Sequence, residues 1–152
     1  MKNIVSLLMI FGMTVIYAQN NHQKFLKSID KKGASYAEIA LDIWNYAEMG
    51  YQEEKSSALL QETLRNEGFT IQKGVADIPT AFIAEYNNGG PVIALLGEFD
   101  ALPGLSQKAV AYKVTDGKRA GHACGHHLFG TASAAAAISL KTYIQKNKIK
   151  GT

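Results

Sequence analysis

The period of the hydrophobic pattern changes several times along the chain, and each change marks an element. Tyr36, Ile39, Ala40, Ile43, Trp44, Tyr46 and Ala47 recur at helical spacing and define one apolar face of a helix, with Trp44 read as a core residue. Ser35-x-x-Glu38 reads as a capping box at its start, and Gly50 as its stop. A second helix is expected from Ser56 or Ser57 to Glu67, with Leu59, Leu60 and Leu64 on one side and Gly68 ending it. Phe69, Ile71 and Val75 then alternate with polar or small residues, which predicts a strand with one wet face. Ile78-Pro79 interrupts the chain, Thr80 to Tyr86 reads as another strand, and Asn87-Asn88-Gly89-Gly90 as a turn. The unbroken apolar run Pro91 to Leu96 predicts a central strand covered on both faces. Leu105 to Lys118 has weak periodicity and an Asp116-Gly117 turn, and is expected to be a long loop over the site. Gly130 to Asn147 completes the pattern as a helix whose alanine-rich first half is narrow enough for close packing, and Lys148 to Thr152 reads as the start of a further strand. Helices and strands in this order predict an α/β fold, a mixed sheet flanked by helices.

The amino terminus does not belong to that pattern. Met1-Lys2-Asn3 is a positive start, Ile4 to Ile16 an apolar run, and Ala18 a small residue at a cleavage point. These features predict an export signal over residues 1–18, a mature chain over 19–152, and a periplasmic or extracellular location. The run is shorter than the ~20 residues of a membrane span, so no membrane association is expected after signal removal. Asn20 to Lys32 is polar and reads as a short helix or arm.

Composition narrows the choice of partner. With 152 residues, 47% of them hydrophobic, the chain suffices for one globular domain with a real core. The net charge of +3 comes from dispersed lysines without interleaved aromatics, which argues against a nucleic-acid partner. There is no Gly-x-Ser-x-Gly elbow and no phosphate-binding loop, so serine hydrolases and nucleotide-binding proteins lack support. A single cysteine cannot form an internal disulfide, and metal ligation is one physical reason for an exported chain to keep it.

That cysteine stands in Ala120-Gly121-His122-Ala123-Cys124-Gly125-His126-His127-Leu128-Phe129-Gly130, which also holds three of the four histidines. On a roughly extended segment, Cys124 and His126 project to one side and are the candidate metal ligands, Zn²⁺ being the usual ion for mixed sulfur and nitrogen ligation. The following helix turns its N-terminus toward the same spot, favouring a thiolate or an anionic ligand. His122 and His127 are read as residues behind the ligands or facing substrate. Glu98 and Asp100, two apart after the apolar run, share a side and are placed to ligate a metal or orient a ligand, with Asp100 held by the turn Ala101-Leu102-Pro103-Gly104. Two alternatives stay open: a cysteine-nucleophile hydrolase activated by His126 or His127, and a non-catalytic metal-binding module.

Three stretches together resemble a known family: Ile43 to Glu53 with Lys55-Ser56-Ser57, Leu96 to Gly104, and Gly121 to His126 with Leu128 to Ala132. In this order they resemble the amidohydrolase branch of the zinc aminoacylase and carboxypeptidase superfamily, above all aminobenzoyl-glutamate hydrolases of the utilisation protein B type, then hippurate and indole-acetyl-amino-acid hydrolases. The resemblance implies the N-terminal part of a zinc-exopeptidase-like catalytic domain that carries two Zn or Mn ions when complete. It also implies a smaller dimerisation domain, a homodimer, and hydrolysis of the amide in an N-acyl amino acid or aminobenzoyl-glutamate-like small molecule. It assigns metal ligation to Cys124 and His126 and a catalytic position near the metals to Asp100. His127 stands where such enzymes often have Asp or Asn. Similar enzymes supply a paired-glutamate segment and further histidines beyond a Gly-Thr like Gly151-Thr152. Catalytic zinc takes about three protein ligands, so the expectation is an N-terminal fragment that binds metal weakly and does not hydrolyse substrate alone.

Overall fold

The computed structural model describes residues 23–152; the expected export signal lies outside them. The chain divides into two compact units, Met1–Gly33 and Ala34–Thr152. In the first, residues 23–30 are helical, and the Ser28 hydroxyl donates to the Phe25 carbonyl at 2.6 Å. The second holds everything that follows. No helix of the described residues is long and apolar enough to cross a membrane.

The fold is mixed α/β, as the pattern predicts. Helix α1 (Gly33–Tyr46) turns its apolar stripe inward and buries Ala40 and Ile43. Ser35 lies inside this helix, so the expected capping box does not form its N-terminus. The helix also stops before Gly50: Ala47 takes a left-handed conformation (φ 47) and ends the repeat with its N–H still bonded to the Ile43 carbonyl at 3.1 Å.

Helix α2 (Glu54–Asn66) begins slightly ahead of the expected serines because a distant carboxylate caps it. Glu48 accepts from the backbone N–H of Lys55 (3.0 Å) and Ser56 (2.8 Å) and from the Ser56 hydroxyl (2.7 Å), which satisfies donors that every helix start leaves free. At the other end Gly68 is left-handed (φ 82), as its position in the sequence suggests. Its N–H bonds Arg65 and that of Phe69 bonds Leu64, the paired closure of a Schellman turn, and Leu64 and Phe69 then pack together in the core.

Strands β1 (Thr70–Lys73) and β2 (Phe82–Glu85) pair antiparallel, Thr70 opposite Glu85 and Lys73 opposite Phe82. Their connection passes through a left-handed Gly74 and the short 3₁₀ turn Val75–Asp77. Strand β3 (Leu102–Pro103) pairs antiparallel with β4 (Ala120–Gly121), and between them residues 105–118 form the expected long loop. Helix α3 (His126–Asn147) begins earlier than expected, at the histidines themselves. The core joins Ile43 of α1, Leu60 and Leu64 of α2, Phe69, and Ala134 and Ile138 of α3; burying each large aliphatic contributes about 1.5–3 kcal/mol.

The stretch Pro91–Leu96 departs from expectation. It joins no strand ladder among the described residues, and Val92 and Leu96 are 76% and 73% exposed. Its backbone bonds are to the last residue, Ile93 N–H to the Thr152 carbonyl and Thr152 N–H to the Pro91 carbonyl, both 2.9 Å. An apolar cavity of about 650 Å³ lies beside it, lined by Phe82, Tyr86, Leu95 and Phe99 among others. An unbroken apolar run asks for cover on both faces, and the described elements supply it chiefly where α3 crosses Gly97.

Candidate metal centre

The crossing of α3 over residues 96–99 sets the site. A Cβ at Gly130 would stand 2.9 Å from the Glu98 carbonyl oxygen and 3.1 Å from the Phe99 Cβ, and one at Gly97 would stand 3.2 Å from the Ser133 Cβ. Two glycines therefore let helix and chain meet nearly backbone to backbone. The Ser133 hydroxyl donates to the Leu96 carbonyl at 2.6 Å and fixes the crossing. On the far side Ala101, 1% exposed, donates its N–H to the Glu48 carbonyl at 2.7 Å, in a bridge between Met49 and Ala101. Glu98 and Asp100 are thus held between two anchored backbone segments.

Their carboxylates meet His126 on the first turn of α3. Its Nδ1 lies 2.8 Å from Asp100 Oδ1 and its Nε2 lies 3.2 Å from Glu98 Oε2. The ring is 18% exposed, Asp100 29% and Glu98 52%, so the cluster opens to solvent on the Glu98 side. One ligand atom from each of the three lies within 4.8 Å of the others. Two carboxylates and an imidazole suit a divalent cation of the Zn or Mn type. A carboxylate on Nδ1 is the means by which metal-binding histidines are commonly oriented, and here Nε2 is turned toward the second carboxylate, Glu98.

Cys124 is not in this group. It is exposed, and Gly125 between it and His126 is left-handed (φ 87) and forms the N-cap of α3. The expected same-side projection assumes extended chain, whereas Ala123 and Cys124 lie in a turn before the left-handed Gly125, so period-two alternation does not apply here. Cys124 is not sealed among aliphatic side chains either, and no described histidine hydrogen-bonds its sulfur.

His122 and His127 lie behind the cluster against Trp44. His122 is 3% exposed and its Nε2–H donates to the Ile43 carbonyl at 3.0 Å. Its ring centroid is 5.0 Å from that of His127, which meets Trp44 edge-on at 5.0 Å. Trp44, expected in the core, is half-buried and serves as a wall for both imidazoles. Burial is the main cause that pushes both histidines below the usual imidazole range; the bond to Ile43 opposes it at His122, and the neighbouring His122 reinforces it at His127.

Sequence reasoning missed the polar frame around the cluster. Glu48 and Glu53 sit in the motif that carries the family resemblance, yet Glu48 caps α2 and the nearly buried Glu53 accepts from the Thr80 hydroxyl at 2.8 Å. The Thr80 carbonyl in turn accepts from the Ser57 hydroxyl at 2.6 Å. The available signal was two glutamates beside a helix start.

Comparison with known proteins gives a consistent set of relatives. The chain is 44% identical over 128 residues to a subunit of the p-aminobenzoyl-glutamate hydrolase of Escherichia coli, a match covering 82% of this chain and 26% of that protein. It is 31% identical to the amidohydrolase YhaA of Bacillus subtilis over 83% of this chain and 31% of the relative. It is 35% identical to thermostable carboxypeptidase 1 of Saccharolobus solfataricus over 59% of this chain and 23% of the relative. The chain thus spans about a quarter to a third of the length of these curated relatives. No family model matches it. The motifs in their order, the α/β fold that frames them and these relatives lead to one identification: the chain belongs to the amidohydrolase family of hydrolases and peptidases.

Proposed function

We propose that this chain supplies part of the metal site of an enzyme that hydrolyses the amide bond of an N-acyl amino acid or an aminobenzoyl-glutamate-like substrate. The observation that carries the reading is the His126 ring with a carboxylate opposite each nitrogen. Asp100 holds Nδ1 and orients the ring, and Nε2 and the Glu98 carboxylate face the same opening and would hold the ion, with Cys124 as a further donor. A bound divalent metal supplies Lewis acidity at the scissile carbonyl and a more acidic water. The chain's own contribution is positional: Asp100 fixes the imidazole, Glu98 offers a solvent-reachable carboxylate that can accept a proton, and the N-terminus of α3 favours negative charge. Export through residues 1–18, two metal ions and a homodimer in the complete enzyme belong to the same reading.

A chimera tests it. Residues 19–152 replace the matching segment of the Escherichia coli relative, and hydrolysis of aminobenzoyl-glutamate is followed. The reading predicts activity that chelation abolishes, that Zn²⁺ or Mn²⁺ restores, and that His126→Ala removes. Chelator-insensitive activity lost on thiol alkylation would favour the cysteine-nucleophile alternative instead, and metal binding without turnover the non-catalytic one.

A further inference from the structure

The apolar cavity of about 650 Å³ beside residues 91–96 has a single cation in its lining, Lys141 of α3. The half-buried ammonium donates to the Glu67 carbonyl at the end of α2 and lies 5.7 Å from the centre of the Phe69 ring and 5.3 Å from that of Tyr86. Among the described residues no carboxylate pairs with it. An ammonium carries three N–H donors, and one carbonyl uses one of them. Charges drawn away from water are ordinarily paired, so the cavity has a place for an anion at its Lys141 end. The carboxylates of the lining are otherwise placed: Glu98 and Asp100 stand by Gly130, Glu53 accepts from Thr80, and Glu85 is exposed.

We propose that this cavity binds an elongated apolar carboxylate, its tail lying along α3 and its head group on Lys141. Helix α3 borders the cavity from Gly130 to Lys141, about three turns or roughly 16 Å at 1.5 Å per residue. Over that length it presents Ser133, Ala134 and Ala137, side chains too short to fill the space. Small-molecule sites are commonly of this size, apolar along their walls with a few polar groups that fix orientation. The Phe69 and Tyr86 rings flank the ammonium, so an ion pair there forms partly out of water, where it is stronger than at an open surface. The acidic end at Glu98 and Asp100 repels the head group and sets the direction of the ligand. His126 is not in the lining, and the inference does not depend on the hydrolase reading.

Decanoate and its neutral counterpart decan-1-ol are the probes, titrated calorimetrically into the chain at neutral pH. The expected result is saturable binding of decanoate, about tenfold or more tighter than decan-1-ol, as a hydrogen bond to a charged group requires. Proton–nitrogen correlation spectra should show decanoate shifting the amides of Val92 to Leu96 and of Ala137 to Lys141. Lys141→Met keeps the apolar stem and removes the charge; it should weaken decanoate by about tenfold or more and leave decan-1-ol unchanged, whereas Lys141→Arg should keep the preference for the acid. No binding of decanoate overturns the proposal, and so do equal affinities for the two probes or a preference that survives Lys141→Met. A chain that covers the cavity by self-association, seen as a dimer in sedimentation that takes up no decanoate, overturns it as well. The wild-type comparison of the two probes decides even where a variant does not fold.

Discussion

Gly130→Ala tests the close crossing on which the cluster depends. Two effects oppose each other. Alanine in place of glycine inside a helix favours the folded state by about 0.5–1 kcal/mol. Here the new methyl would stand 2.9 Å from the Glu98 carbonyl oxygen and 3.1 Å from the Phe99 Cβ, with Leu60 Cδ1 at 3.4 Å behind them. The first obstacle is backbone and cannot swing aside, so α3 and residues 98–99 must separate by roughly half an ångström in an interior that packs at crystal density. Overpacking of this kind costs about 1–3 kcal/mol, which leaves a net loss of roughly 0–2.5 kcal/mol. The larger effect falls on the site, because Glu98 and Asp100 are on one side of the crossing and His126 on the other. Displacing them by that amount should weaken Zn²⁺ binding by about tenfold or more. Urea unfolding measures the first effect and calorimetric titration with Zn²⁺ the second. A variant stabilised by the full helix gain, with unchanged affinity, would refute the argument that the two glycines set the spacing.

Other consequences follow from the frame around the site. Glu48→Ala removes the acceptor of three hydrogen bonds at the start of α2 and should cost about 1–2 kcal/mol by urea unfolding, with Glu48→Gln recovering part of the loss. His122 and His127 have folded pKa values below the ordinary 6.5, so the unfolded chain binds more protons just below that pH. Their contribution is complete above about pH 6.5 and is lost as pH falls toward the folded values. Melting temperature should therefore drop between about pH 7.5 and 5.5, and the drop should shrink in a His122→Asn/His127→Asn double variant.

The sequence made local features legible where a residue's own chemistry decides. Leu59, Leu60 and Leu64 declared α2, and Gly68 declared its end because a left-handed position excludes most side chains. The carboxylates Glu98 and Asp100 and the imidazole of His126 were legible as ligand chemistry, and the structure brings them together. What escaped was decided by distant partners. Glu48 starts α2 from outside it, which no local capping pattern reveals, and Ser35, a good capping residue by type, falls inside α1. The disposition of Cys124 turned on the conformation of one residue: period-two reasoning assumed extended chain at Gly125, which instead takes the form glycine alone adopts at little cost. The apolar run Pro91–Leu96 was expected as a covered central strand; pairing and burial belong to neighbours, and among the described residues those neighbours neither pair it into a ladder nor cover it.

We propose that His126, oriented by Asp100 and faced by Glu98, is the centre of a divalent metal site. Calorimetric titration of the chain with Zn²⁺ and Mn²⁺ measures it most directly. Saturable binding of a divalent ion is predicted, weakened about 10–100-fold by Asp100→Asn and abolished by His126→Ala. Equal affinity in all three proteins would contradict it.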